Sequence, residues 1–587
     1  TPLDLDERAD FGTTVPNDIG CSGYVTIDSG LSLNMDNMVK KLIVGGYLNN
    51  NGIVYMSGAA GGDITVGDYL TNTGTFYVYS RTLTVENAVT NNNTADKFVI
   101  ENDGNLIQIN NTNNSGSITV KRNAIMKRLD YTYWGSPVLG QNLRSFSSGT
   151  LYTRFYVYNE SNDYFDGIFA KNLYPDGTQR LTPLENSATY NYVPGKGYAV
   201  RAPNNYTTSV ATFNGAFVGV PNNGEITFNL QYTKQGFHLV ANPYPSNIDF
   251  DALYSANQTK IYQTAYFWTN VNPNPIMQGS NYPSQYKGVD YYNNYAVYNG
   301  SGGVAATSTS DAAGVGSATP NNFIKVGQGF IIKAKPEGNN ESLIFKNNVR
   351  TENTTGHFFN ARKANAKPDR FWLTLSTPLG VNNDLLIAYK ENATNDFELD
   401  YDAPLLTSPP DSFYSVLGDQ KLMIQGRKYP LVIDDKVILG QRFYQDGIYK
   451  IAIKAKEGIF ASGQNIYLKD KLNGTFTNLQ TTDYTFNATQ GESTDRFEIV
   501  YQPEGALGTS ENIKYGLRVY QSGEYYVIEA DKAFKEVKVY DASGRLLSTI
   551  KSGKKQLMIE KNKLVDGFNL FSIIFADDIV NKKVISK

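Results

Sequence analysis

One segment of this chain repeats itself. Leu42-Ile43-Val44-Gly45-Gly46-Tyr47-Leu48-Asn49-Asn50-Asn51-Gly52-Ile53-Val54-Tyr55 realigns on Ile64-Thr65-Val66-Gly67-Asp68-Tyr69-Leu70-Thr71-Asn72-Thr73-Gly74-Thr75-Phe76-Tyr77 at an offset of 22 residues. A weaker third copy runs through Asp103-Gly104-Asn105-Leu106-Ile107. Short apolar runs broken by Asn-Gly turns at a fixed period are what a parallel β-solenoid requires, because each rung leaves an open core and an edge that only the next rung covers. The spacing predicts three or four rungs within a first region, residues 1–122; a plain β-meander is the alternative.

Composition extends the all-β expectation to the whole chain. Forty-two Tyr and thirty Phe against three Trp suit half-buried pleated surfaces. At 587 residues the chain is too long for one core. From residue 123 to 365 the texture is dense in Tyr, Asn and Gly, and runs such as Ile226-Thr227-Phe228-Asn229-Leu230 alternate between turns, the pattern of a β-sandwich or jelly-roll. Asn242-Pro243-Tyr244-Pro245 predicts a rigid corner, since neither Pro can donate to a ladder. Residues 300–321, rich in Gly, Ala, Ser and Thr, predict a long mobile loop. A second sandwich is expected over 366–503, on strands such as Phe371-Trp372-Leu373-Thr374-Leu375 and Leu385-Leu386-Ile387-Ala388-Tyr389. Residues 504–512 read as a linker, and 513–587 as a small sandwich of six or seven strands.

The order of elements in that last region resembles a known family. Val537-Lys538-Val539-Tyr540-Asp541-Ala542-Ser543-Gly544-Arg545-Leu546-Leu547, then Gly567, then Lys582-Lys583-Val584-Ile585, is similar to the Ig-like C-terminal sorting domain of type IX secretion cargo in Bacteroidetes. Gly567-Phe568-Asn569-Leu570 departs from the family's more usual Gly-x-Tyr. Upstream, Trp134-Gly135-Ser136-Pro137, Pro194-Gly195-Lys196-Gly197-Tyr198, Asn242-Pro243-Tyr244-Pro245 and Gly327-Gln328-Gly329-Phe330 resemble a module that precedes sorting domains in large, gliding-adhesin-like surface proteins. The resemblance implies a sorting signal at Asp541, Gly544, Arg545, Gly567, Lys582, Lys583, Val584 and Ile585. It also implies two partners, the type IX translocon and its outer-membrane β-barrel shuttle, and a secreted or cell-surface location. Thr1-Pro2-Leu3-Asp4 is polar and acidic, so an exported chain of this kind is expected to have lost its leader.

Charge and residue inventory narrow the chemistry. The net charge of −3 gives no electrostatic case for nucleic acid. The region from Ile513 holds 14 Lys+Arg against 9 Asp+Glu, a net +5 against −8 elsewhere, which suits an acidic partner or a solvated basic face. No run approaches the roughly eighteen apolar residues of a transmembrane helix. Cys21 is the only thiol, and His238 and His357 are the only histidines; both histidines read as packed residues. No nucleophile elbow, phosphate loop or zinc-protease motif is present. Asp249 with Asp251, and Asp400 with Asp402 and Glu398, are the acids a glycosidase would draw on, although acids beside β-turns usually cap them. Asp4, Asp6, Glu7 and Asp10 carry the oxygens Ca²⁺ prefers without the spacing of a known loop.

The expectation is a non-enzymatic adhesin or stalk with no cofactor and no metal. The alternative is a protein that binds or degrades surface polysaccharide, with a jelly-roll groove lined by Trp134, Tyr266 and Trp268 to take an extracellular glycan. A single Cys cannot form an internal disulfide. EDTA and dithiothreitol are therefore expected to move the melting temperature by no more than a few degrees in differential scanning calorimetry.

Overall fold

The repeat winds a parallel β-solenoid of about four turns. In the computed structural model, the described residues are 17–35, 39–57, 62–169, 171–173, 179–181, 190–207, 209–269, 295–309, 319–352, 368–406, 411–502, 514–522 and 525–586. The fold is all-β, with two α-helices, Leu143–Phe146 and Phe250–Asn257, among those residues. Three parallel ladders run along the solenoid, in register, so that like residues stack. Val44, Val66 and Val85 form one buried column, and Leu48, Leu70 and Val89 another; Phe76 stacks on Phe98 at 4.9 Å. One rung that the sequence repeat does not reveal is Thr82–Val85 with Val89–Asn91. It follows the second copy at 19 rather than 22 residues, and the shorter turn hides the repeat.

Two devices make the corner of each rung specific. Asn50, Asn72 and Asn91 are buried and linked through their side chains, Asn50 Nδ2 donating to Asn72 Oδ1 at 2.7 Å and Asn72 Nδ2 to Asn91 Oδ1 at 2.8 Å. Beside them Gly74 lies over Gly52 so closely that a Cβ on Gly74 would stand 2.0 Å from the Gly52 carbonyl oxygen. The Asn-Gly and Thr-Gly turns are thus fixed by stacking as well as by turn chemistry.

At its C-terminal end the stack is closed by the rest of the chain. The strand Ile118–Met126 pairs in parallel with Phe98–Ile100 and, over its whole length, antiparallel with Ala211–Pro221. The boundary expected at 122/123 therefore runs through a shared strand. The outer edge of Asn105–Gln108 meets the Asn242–Pro245 corner: Leu106 N donates to the Pro245 carbonyl at 2.7 Å. The Asn242 side chain holds that corner by donating to the carbonyls of Ser246, Ile324 and Lys325. Arg350 completes the closure. It is buried, lies 4.8 Å above the Tyr244 ring and donates to Leu106 O, Ser246 Oγ, Asn223 Oδ1 and Asn347 Oδ1.

The five-stranded sheet Phe237–Ala241, Gly329–Ala334, Ile261–Trp268, Tyr295–Asn299 and Gly302–Val304 follows, and then a large sheet built on Asp369–Ser376 and Val381–Lys390. Those last two strands are buried on both faces. Leu385, Ile387 and Tyr389 enter one core, while Leu386 and Ala388 enter another shared with Tyr266, Val297 and Ile331. That is why the sequence there is continuously apolar rather than alternating. The loop expected over 300–321 is different in its first part: Gly302–Val304 is a buried strand, and Gly303 accepts a 2.7 Å hydrogen bond from Trp372 Nε1. Its middle, 310–318, lies outside the described residues, as do the linker 504–512, His357 and the acids of the first ten residues.

The chain divides into two compact units, Thr1–Gln502 and Pro503–Lys587. The second is a sandwich of seven described strands, three in one sheet and four in the other. Its core holds Tyr526, Ile528, Phe534, Val537, Val539, Ile559, Phe571 and Ile573.

Asn72→Ala removes the middle of the asparagine ladder and takes one partner each from Asn50 and Asn91. We expect a loss of about 2 kcal/mol in urea unfolding, with hydrogen exchange accelerated across residues 42–108. Thr73→Ala, on the exposed corner next to it, is expected to cost under about 1 kcal/mol.

Candidate functional site

The first unit carries an aromatic cleft, and its shape follows from one row of residues. Across the antiparallel sheet of Tyr131–Trp134, Tyr198–Arg201, Phe155–Asn159 and Tyr164–Gly167, register puts Tyr133, Ala199, Tyr156 and Gly167 side by side. Large and small side chains alternate along that row, so Ala199 becomes a floor between two tyrosines about 10 Å apart, two interstrand spacings. The far wall comes from the neighbouring sheet, where Trp268 pairs with Tyr295. Trp268 stacks on Tyr133 with ring centroids 5.5 Å apart, and its Nε1 donates to the Tyr131 carbonyl at 2.8 Å. Tyr133 and Tyr295 share a 2.7 Å hydroxyl–hydroxyl hydrogen bond. Burial pushes the Tyr133 hydroxyl well above its ordinary pKa, so both phenols are neutral. The cavity is about 630 Å³ and is lined by seven aromatic side chains, Leu129, Ala199, Arg154 and Arg201. That is the size and chemistry of a small-ligand site.

The groove expected from sequence is corrected in two of its three residues. Trp134 follows Tyr133 in the strand, and successive side chains point to opposite faces. Tyr133 therefore faces the cleft while Trp134 is buried in the solenoid-side core, against Phe146, Phe213 and Phe217. Tyr266 shares its strand with Trp268 but lies deeper, buried against Phe237. Only Trp268 lines the cavity. Tyr131, Tyr156 and Phe165 were missed, yet Tyr131-Thr132-Tyr133 and Tyr156-Val157-Tyr158 show the tyrosine at every second position that marks an aromatic face.

The candidate carboxylates are engaged by backbone N–H groups or by neighbouring side chains. Asp249 caps the helix Phe250–Asn257 by accepting from Asp251 N and Ala252 N. Asp251 accepts from Tyr298 and Gln263. Asp400 accepts from Gln263 N at 2.7 Å, and Glu398 from Thr394 N at 2.8 Å. Asp402 is buried, accepts from Glu398 N and Gly426 N, and is pushed up to about 7 by that burial. His238 is a packed strand residue whose Nε2 lies 2.8 Å from the Gln231 carbonyl. Among the described residues no group of three His, Cys, Asp or Glu could hold a metal ion, and no helix is long and apolar enough to cross a membrane.

In the second unit the sequence-predicted signal residues fall on neighbouring strands. Asp541 ends the strand Glu536–Asp541 and closes a turn: its Oδ1 accepts from Ser543 N, Ser543 Oγ and Arg545 N, and its Oδ2 from Arg545 Nε at 2.9 Å. The Ser543 hydroxyl and then the Arg545 groups hold the Asp541 carboxyl down to about 2. Gly544 takes φ +83° in that turn and Gly567 φ +93° at the start of Gly567–Ile574. The final strand, Ile579–Ser586, is eight residues long. It lies at the edge of its sheet. Register places Asp541, Asn569 and Val584 in one row, so the turn and the terminal strand are two strands apart at the same end of the sheet. Val584 is buried in the core, Lys583 reaches over the Phe568 ring at 5.8 Å, and burial lowers the Lys582 ammonium below its ordinary value. Ile585 pairs with Phe568 through the backbone ladder.

The hairpin that carries Tyr156, Tyr164 and Phe165 is held by a buried carboxylate. Glu160, 2% exposed, accepts from the backbone N–H groups of Thr233, Lys234 and Gly236 and from the Thr233 hydroxyl. Burial by itself would raise its pKa; these four donors outweigh it and hold the group at about 2. A carboxyl depressed from its ordinary 4.5 to about 2 contributes stability that is complete above pH 4.5 and lost as pH falls toward 2. Glu160→Gln is therefore expected to cost about 2 kcal/mol in urea unfolding at pH 7, with the gap to the parent protein closing between pH 4.5 and pH 2.

Comparison with curated proteins found no match. Among solved structures, PorZ of Porphyromonas gingivalis, described as an essential bacterial surface component of the type-IX secretion system, aligns at 17% identity with a TM-score of 0.11. The alignment covers 26% of this chain and 21% of that one. The family model described as Domain of unknown function (DUF8693) matches residues 38–501, most of the chain, and the chain belongs to that family.

Proposed function

We propose that this chain is a non-enzymatic cell-surface protein of adhesin or stalk type, exported by type IX secretion through residues 513–587. One observation carries the reading. The basic region that resembles a sorting domain folds as its own unit, Pro503–Lys587, with its own core. A signal shared by unlike cargo has to be local to such a unit. Within it, the Asp541–Arg545 turn and the terminal strand share one end of one sheet, and that strand lies at the sheet's edge. An edge strand can pair with another sheet by β-augmentation, which suits a β-barrel shuttle as partner. The non-enzymatic part of the reading is supported by the candidate acids, each engaged in capping or bridging.

The aromatic cleft favours a second element of the same reading, that the first unit binds an extracellular glycan. Sugar rings stack on aromatic faces, and Tyr133, Tyr156 and Trp268 offer such faces around a recess.

Deleting residues 513–587 is expected to abolish surface display while Thr1–Gln502 keeps its thermal transition. Normal surface amounts of the truncated protein would refute the sorting assignment. Within the tail, deleting residues 584–587 removes backbone pairing and the buried Val584 and is expected to block capture of the shuttle in a pull-down. Lys582→Ala with Lys583→Ala is expected only to weaken capture, because exposed charge contacts are worth about 1 kcal/mol or less each.

A further inference from the structure

The large sheet of the first unit carries an apolar loop tip. Tyr429-Pro430-Leu431-Val432-Ile433 is a run of five apolar residues between the strands Gln420–Lys428 and Lys436–Phe443. Leu431 packs against the core of that sheet, while the other four are exposed, Val432 to 63%. An exposed run of this kind works against solubility and marks an interaction site. The tip is held from below. Asp435 N donates to the Val432 carbonyl at 2.9 Å and closes a turn. The Asp435 carboxylate accepts from Arg427 Nε at 3.0 Å and from the Tyr389 hydroxyl at 2.7 Å. These contacts fix the base of the loop, and none of them involves the side chains of Tyr429, Pro430, Val432 or Ile433.

The chain leaves the first unit beside the same loop. Val500 pairs with Lys436, the Tyr389 and Tyr501 hydroxyls share a 2.8 Å hydrogen bond, and Gln502 Nε2 donates to Asp434 Oδ1 at 2.6 Å. Gln502 is the last residue of that unit. The tip therefore lies at the end from which the chain runs on to residues 513–587.

We propose that the tip Tyr429–Ile433 inserts into the interfacial layer of a lipid membrane. Val432 and Ile433 enter the acyl boundary, and the Tyr429 ring sits at headgroup level, where an amphipathic ring is stable. The size of the tip favours lipid over protein. A stable protein interface engages roughly 20–30 residues a side, whereas lipid needs only side chains that can enter it. Its place favours lipid as well. That argument rests on the proposed engagement of residues 513–587 with an outer-membrane barrel, which tethers this end of the first unit to a membrane.

The purified full chain is mixed with phosphatidylcholine vesicles and floated on a density gradient at low and at high salt. It is expected to float in both, because the contact is apolar and salt screens only charges. Val432→Asp with Ile433→Asp is expected to lower the partition coefficient roughly tenfold or more while the melting temperature holds, since both side chains are exposed. Ile448→Asp, at a residue 62% exposed in the strand Gly447–Glu457, is expected to leave flotation unchanged. A polarity-sensitive fluorophore on Val432→Cys, with Cys21 buried, is expected to shift to shorter wavelength on vesicles. Failure of the parent to float, flotation that survives the double substitution, or unshifted emission from floated protein would overturn the proposal. Sedimentation velocity is run alongside. Self-association of the parent that the double substitution abolishes, without flotation, would overturn it in favour of a contact between two copies. Partition of the purified chain does not depend on its route of export, so failure here leaves the sorting assignment standing. Normal display of the chain lacking 513–587 would refute sorting without altering flotation.

Discussion

A parallel β-stack cannot end on itself. Every rung exposes backbone donors and acceptors and an open apolar core, and the last rung must give both to something else. Here the closure is a buried guanidinium. Arg350 reaches back across the sequence to the Leu106 carbonyl, while the Asn242–Pro245 corner supplies the Pro245 acceptor for Leu106 N and the Tyr244 face for the cation. A buried charge without a carboxylate partner is costly, and this one is stabilised by four separate acceptors and a ring. The geometry of the module downstream follows, because Phe237–Ala241 before that corner is the edge strand of the five-stranded sheet and Asn247–Asp249 after it enters a three-stranded one.

From that anchor one compact unit extends to residue 502. Solenoid and module share the strand Ile118–Met126, and the module shares a core with the large sheet through Leu386, Ala388 and Trp372. The aromatic cleft is the margin of that shared core. Tyr133, Ala199 and Tyr266 belong to the packed part, while Tyr156, Phe165, Trp268 and Tyr295 are its half-buried border. A recess arises because Ala199 is too small to fill the row between Tyr133 and Tyr156. Glu160 then fixes the hairpin against the loop 233–236.

The second unit is built by different means. Its sheets are short, its core is its own, and its distinctive turn is held by one carboxylate that meets both Ser543 and Arg545. The Asp541–Arg545 ion pair joins an Arg that is 72% exposed, so its value lies in shaping the turn more than in stability.

The sequence by itself determined the periodic parts of this protein. The 22-residue repeat, the alternating strands and the proline corner are local signals, and each is met where it was expected. It also determined that acids beside turns would cap them where the partner is local, as for Asp249 at Asp251 N and Glu398 at Thr394 N, whereas Asp400 meets the backbone of Gln263 only through the fold. Tertiary structure decided everything that depends on which face of a strand looks where. Trp134 and Tyr133 differ by one residue and therefore by a whole face, and only the pairing with Tyr198–Arg201 tells which of them meets the cleft. It decided too that Arg154 and Arg201 share a cavity, and that Arg350 closes a rung some 244 residues before it. Those contacts join positions with no common local pattern, so nothing short of the folded register could bring them together.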